Sequence, residues 1–136
     1  MIKIIYGAKG TGKTKRILDM ANDTIQTAKG SVVFIDDDKR YMYDLKSTIR
    51  FIDSTEYSIS GPKVFTGFIA GMAAQDFDLE YIFVDGFLRM INHPLDTLEE
   101  MFEILEKFTT ERGITMVLAI SGSDCEIPEF AKKYIV

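Results

Sequence analysis

The sequence predicts an α/β fold: a mainly parallel sheet of about five strands with helices on both faces, three layers in all. Three observations carry this. Short, nearly all-apolar runs alternate along the chain with longer stretches of helical spacing. Those runs lack the in–out alternation of a half-exposed strand, as expected of strands covered on both faces. Most of them close on glycine, serine or aspartate, at the end where an open parallel sheet gathers its ligands.

The elements follow in order. Residues 2–6 form a first β-rich run closed by Gly7. Residues 14–28 have helical spacing, with Ile17, Leu18, Ala21, Ile25 and Ala28 on one face and Gly30 as the stop. A second strand at 32–35 meets the acidic run Asp36-Asp37-Asp38, and a short helix is expected at 39–46. Residues 49–52 read as a third strand. Ser60-Gly61-Pro62 opens the next helix, with Ser60 as N-cap and proline in the first turn. Its expected buried stripe is Val64, Phe65, Phe68, Ile69, Met72 and Ala73. A fourth strand at 81–84 ends at Asp85-Gly86. Leu95, Leu98, Phe102, Leu105 and Phe108 mark an amphipathic helix that stops at Gly113. Residues 114–120 form a fifth strand, and Tyr134-Ile135-Val136 suggest a sixth at an edge. The loops at 7–12, 36–38, 53–56, 85–89 and 121–124 are then expected to surround one crevice.

Size and composition set limits. A chain of 136 residues holds one core and is too short for two ordinary domains, so a single domain over 1–136 is expected. With 46% hydrophobic and 27% charged residues it is an ordinary globular composition. No apolar stretch approaches a membrane span, and Gly7 interrupts the N-terminal run before a secretory signal develops. Cys125 has no partner for an internal disulfide, which fits a reducing, cytoplasmic setting. A net charge of −5 argues against non-specific binding to polyanions, and nucleic acid is not indicated.

The chemistry concentrates in the first loop. Gly7-Ala8-Lys9-Gly10-Thr11-Gly12-Lys13-Thr14 satisfies G-x-x-x-x-G-K-[ST] in full. The glycines let the backbone turn so that successive N–H groups point at phosphate oxygens, and the following helix adds its positive dipole end. Lys13 is placed to reach the β- and γ-phosphates, and the Thr14 hydroxyl to ligate Mg²⁺. Lys9, Lys13, Lys15 and Arg16 concentrate positive charge there, which a polyphosphate accounts for economically. A chance match to the four specified positions is expected on the order of once in a hundred such chains or less.

On these residues the chain resembles the P-loop NTPases. Tyr81-Ile82-Phe83-Val84-Asp85 is similar to their second motif, Walker B, an apolar strand ending in aspartate. The resemblance implies a Mg²⁺-bound nucleotide held by residues 7–15, with Lys13 and Asp85 catalytic and Thr14 and Asp85 at the metal. N-K-x-D and D-x-x-G are absent, which points away from the GTPase branch and toward ATP. The tail at 121–136 contains no arginine, unlike the lid of small-molecule kinases. The remaining resemblance is to the additional-strand, RecA-like branch. There a strand lies between those bearing the two motifs, and residues 114–120 would be that strand; Ser121 at its end would either face the γ-phosphate as a sensor or serve in a structural turn with Gly122 and Ser123.

The pattern departs from that branch at one position. Gly86 stands where a glutamate often polarises the attacking water. RecA-like members use a carboxylate at the end of a neighbouring strand, and Asp36, Asp37 and Glu56 are all candidates. Asp36-Asp37-Asp38 also suits a turn and helix N-cap. Arg89 and Arg112 are the candidate arginines against γ-phosphate charge, unless a second copy supplies one in a homo-oligomer. Other residues carry less. His93 has no second histidine for a zinc site, and Cys125 has no basic neighbour to activate it. Gly67 and Gly71 are expected to allow close helix–sheet packing. Two functions follow from this reading: an ATPase, or a nucleotide-binding switch or adaptor for a protein partner with little hydrolysis.

Overall fold

The computed structural model describes residues 1–123 and 126–136; Asp124 of the last predicted loop and Cys125 lie outside the described residues. Five parallel strands form one sheet: β1 (Ile2–Gly7), β2 (Ser31–Asp36), β3 (Arg50–Asp53), β4 (Leu79–Val84) and β5 (Thr115–Ser121). Their order is β1-β5-β4-β2-β3. The last strand in sequence therefore lies between the strand that leads into the glycine-rich loop and the strand that ends at Asp85. This is the α/β architecture the alternation predicts.

Helix α1 (Lys13–Thr24) covers one face, and α2 (Pro62–Gln75), α3 (Phe87–Ile91) and α4 (Glu99–Arg112) cover the other. Each strand feeds both layers, because successive side chains point to opposite faces. Ile5, Phe34, Phe83 and Val117 pack with Ile17, Leu18 and Ala21 of α1. Ile4, Ile35, Ile82, Val84 and Leu118 pack with Phe65, Ile69, Phe87 and Phe102 of the other three helices. Phe87 meets both Phe65 and Phe102 edge-on, with ring centroids 5.6 and 6.0 Å apart. Such pairs add to the burial of the rings themselves.

Several expected boundaries move, each for a local reason. Helix α1 ends at Thr24, and residues 25–28 continue only as hydrogen-bonded turns. β-branched Thr24, Ile25 and Thr27 weaken the helix there. Gly30 is therefore no helix stop; a Cβ on it would lie 2.0 Å from the Asp78 carbonyl oxygen, so its role is close approach of two backbones. The helix expected at 39–46 shrinks to a single 3₁₀ turn, Met42–Asp44. The Asn22 side chain donates to the Asp44 carbonyl and accepts from the Lys46 N–H, taking backbone groups a helix would have used.

In α2 the N-cap is Gly61 rather than Ser60, and Pro62 occupies the first turn as expected. Val64 is half exposed, so the helix meets the core along Phe65, Ile69 and Ala73, with Phe68 and Met72 only partly covered. Gly67 and Gly71 face open space and take no part in helix–sheet packing. Helix α3 fills what reads in sequence as a loop. A 3₁₀ turn, Leu95–Thr97, precedes α4, which ends at Gly113 in the left-handed region as the sequence indicates. The sixth strand reduces to one parallel bridge, Ile4 with Ile135, where the Val136 N–H donates to the Ile4 carbonyl. Among the described residues no helix is long and apolar enough to cross a membrane.

Candidate functional site

The carboxyl ends of β1, β5, β4 and β2 open onto one crevice of about 910 Å³. Gly7 ends β1, and the loop turns back into α1 through Gly10 and Gly12, at φ 82° and 87°. Side chains other than glycine rarely adopt that backbone. No side chain caps the start of α1, and its first turn holds no acidic residue. Its N–H groups are thus aimed at the crevice without a carboxylate competing for them. Thr11 Oγ1 and Lys13 Nζ both donate to the Ala8 carbonyl, at 2.7 and 2.8 Å, so the lysine lies folded along its own loop. Burial lowers the Lys13 pKa, with the Asp85 charge opposing it. Lys15 pairs instead with Asp19 at 2.7 Å on the exposed side of α1.

Across β5 from this loop, Asp85 sits at the end of β4, nearly buried. One of its oxygens accepts from the Thr14 hydroxyl at 2.9 Å and the other from the Gly86 N–H at 2.9 Å. The Asp85 N–H donates to Ile35 of β2, which fixes the loop to the neighbouring strand. Residues 14 and 85, chosen separately in the sequence, thus touch, and Ala119 and Ser121 of β5 line the crevice between them.

The acidic run after β2 divides. Asp36 is buried, and its carboxylate accepts from the Asp37 N–H at 2.7 Å. Burial, then hydrogen bonding with the Asp37 side chain and the charge of Asp85, pushes its pKa up to about 8, against the opposing effect of the Asp37 N–H. Asp37 takes the opposite course. Arg89 of α3 grips it in a two-pronged fork, Nε to Oδ2 at 2.8 Å and Nη2 to Oδ1 at 3.0 Å, and this holds its pKa below the usual range. Asp38 accepts from the Arg40 N–H at 2.6 Å, the turn role expected of the run. Gly86, in the left-handed region at φ 69°, lies beneath the fork. A Cβ there would come within 2.7 Å of both Arg89 Nη2 and Asp37 Oδ1.

Two candidates fall away. Glu56 follows β3, the edge strand beyond β2, and pairs with Lys39 outside the crevice. Asp53 accepts from Thr55 within its own turn, so the 53–56 loop does not border the site. Arg112 lies at the end of α4, over the Phe108 ring at 3.8 Å, and donates to the Phe108 carbonyl. The crevice also extends further than the sequence suggests, past Asn22 to Arg40, Tyr41 and Asp44. No motif marks those positions; only the pairing of β2 with β4 and the Asn22 clamp bring them alongside α1.

No protein-family model matches the chain, and no curated protein matches it in sequence. Among solved structures it is similar to the flagellar accessory protein FlaH from Methanocaldococcus jannaschii, with a TM-score of 0.54 and 15% identity. The likeness covers 97% of this chain and 65% of the FlaH chain, so this chain spans about two thirds of that protein's length. At that identity it is a likeness of fold: an α/β domain built on a parallel sheet.

Proposed function

We propose that the crevice binds a Mg²⁺-complexed nucleoside triphosphate, ATP in preference to GTP, and that the chain is an ATPase of the additional-strand, RecA-like type. The observation that carries this reading is the 2.9 Å contact between Thr14 Oγ1 and Asp85 Oδ2, made across a central β5 by the two motif residues expected at the metal. A hydroxyl and one carboxylate are hard oxygen donors suited to Mg²⁺, which keeps several waters and takes few carboxylates. Among the described residues no group of three or more His, Cys, Asp or Glu could hold a metal alone, so phosphate and water oxygens would complete the shell. When bound, the ion would screen phosphate charge. In this reading Lys13 leaves the Ala8 carbonyl for the β- and γ-phosphates. The loop N–H groups and the start of α1 hold the remaining oxygens, and Asp36 or Asp37 orients the attacking water.

Lys13→Ala should abolish binding of Mg·ATP while circular dichroism stays unchanged, because the exposed Lys13 ammonium hydrogen-bonds to a carbonyl of its own loop. Calorimetry that finds the same affinity in both proteins would sink the proposal. A second reading, a nucleotide-binding switch or adaptor with little turnover, is favoured by one observation: the Asp37–Arg89 fork occupies the space where a side chain at position 86 would stand. Phosphate release measured over a range of protein concentrations separates the two. Release that disappears in Lys13→Ala supports the ATPase, and a turnover per chain that rises with protein concentration adds a homo-oligomeric catalytic unit. Tight binding without release supports the module.

A further inference from the structure

The crevice carries acidic side chains in numbers comparable to its basic ones. A polyphosphate entering it therefore needs every cation it can recruit, yet two are already engaged, Lys15 by Asp19 and Arg89 by Asp37. The two engagements differ. Lys15 and Asp19 are neighbours on one helix turn, whereas Arg89 and Asp37 come from α3 and from the end of β2 and meet over Gly86, next to Asp85.

Resting on the nucleotide reading above, we propose that Arg89 is a ligand of the terminal phosphate supplied within the same chain, and that Asp37 holds it at the crevice until a triphosphate takes over the guanidinium. Four features support this. Arg89 lines the crevice together with Lys13 and Asp85. Its planar fork fits phosphate as well as carboxylate, so exchange of one anion for the other keeps the same donors in use. The Arg89 side chain is 65% exposed, so an incoming phosphate can reach the guanidinium from the solvent side while Asp37 still holds it. Finally, the glycine at 86 leaves room for the fork beside Asp85, where any larger residue would push it away.

The consequence is selectivity by phosphate number. A diphosphate lacks the group that competes for Arg89, so the guanidinium stays with Asp37. A triphosphate gains a charge-assisted contact and releases the Asp37 carboxylate beside the reacting end.

The test is calorimetry with Mg²⁺ and either a non-hydrolysable ATP analogue or ADP. It uses wild type, Arg89→Gln, Asp37→Asn and the double variant. Arg89→Gln should lower the ratio of triphosphate to diphosphate affinity roughly tenfold. Asp37→Asn should raise that ratio, and the rise should vanish in the Arg89→Gln background, since its cause is the freed arginine. A ratio unchanged in Arg89→Gln would overturn the phosphate contact. An Asp37→Asn effect of equal size in both backgrounds would overturn the holding role. Wild type that binds neither nucleotide would refute the reading of the site itself, a failure distinct from the other two.

Discussion

Burial of Asp36 beside Asp37 and Asp85 raises its carboxyl pKa to about 8, from the ordinary 3.8, and this has a consequence for stability. Between those two values the folded chain keeps a proton that the unfolded chain has released. Stability therefore falls as pH rises through that window and levels off above about pH 8. Asp36→Asn removes the titration but keeps a side-chain oxygen for the Asp37 N–H. With a chelator present, the variant should gain about 1–3 kcal/mol over wild type at pH 8 and little at pH 4. Urea titrations at the two pH values measure this, and an equal difference at both would remove the buried proton from the account. The chemistry at this scale was only half legible in sequence. Lys13, Thr14 and Asp85 stand in motifs whose spacing encodes a job. The Asp37–Arg89 fork joins residues 52 apart that nothing local connects.

At the scale of elements, apolar periodicity located all five strands and three of the four helices, because burial on both faces of the sheet leaves a strong local signal. It failed where another part of the chain decides. Glu56 looked equivalent to Asp36 in sequence, both ending strands, until the strand order put β3 at the edge. Helix α3 is short and apolar, and it forms because Phe87, Met90 and Ile91 are buried by elements far away in sequence. Gly30 and Gly67 show the same limit, since a glycine's role depends on what faces it. Gly30→Ala drives a Cβ into the Asp78 carbonyl, the acceptor for the first N–H of β2, and should cost about 1–3 kcal/mol. Gly67→Ala adds a methyl to an open helix surface and should stabilise by about 0.5–1 kcal/mol. Denaturant midpoints of opposite sign are the expected result; two losses of similar size would mean that the surface of α2 is not free.

For the whole molecule, the strand order decides which loops border the crevice. Residues following β1, β2 and β4, together with Ala119 and Ser121 at the end of β5 itself, line the crevice, and the described residues following β3 do not. On the proposed reading, a nucleotide seated there would meet segments from both halves of the chain, around 9–15 and 36–41 on one side and 85–89 on the other. Binding should then tie these segments together, since opening any of them would expose the ligand and forfeit its binding free energy. Hydrogen exchange with and without Mg·ATP analogue should show slower exchange in all three segments at once. The turn Ser54–Tyr57, next along the same edge, should exchange as before. The contrast between neighbouring loops separates occupation of this crevice from general stiffening, which would slow both. Equal protection at Ser54–Tyr57 would mean general stiffening and would remove the assignment of the nucleotide to the crevice beside the Thr14–Asp85 contact.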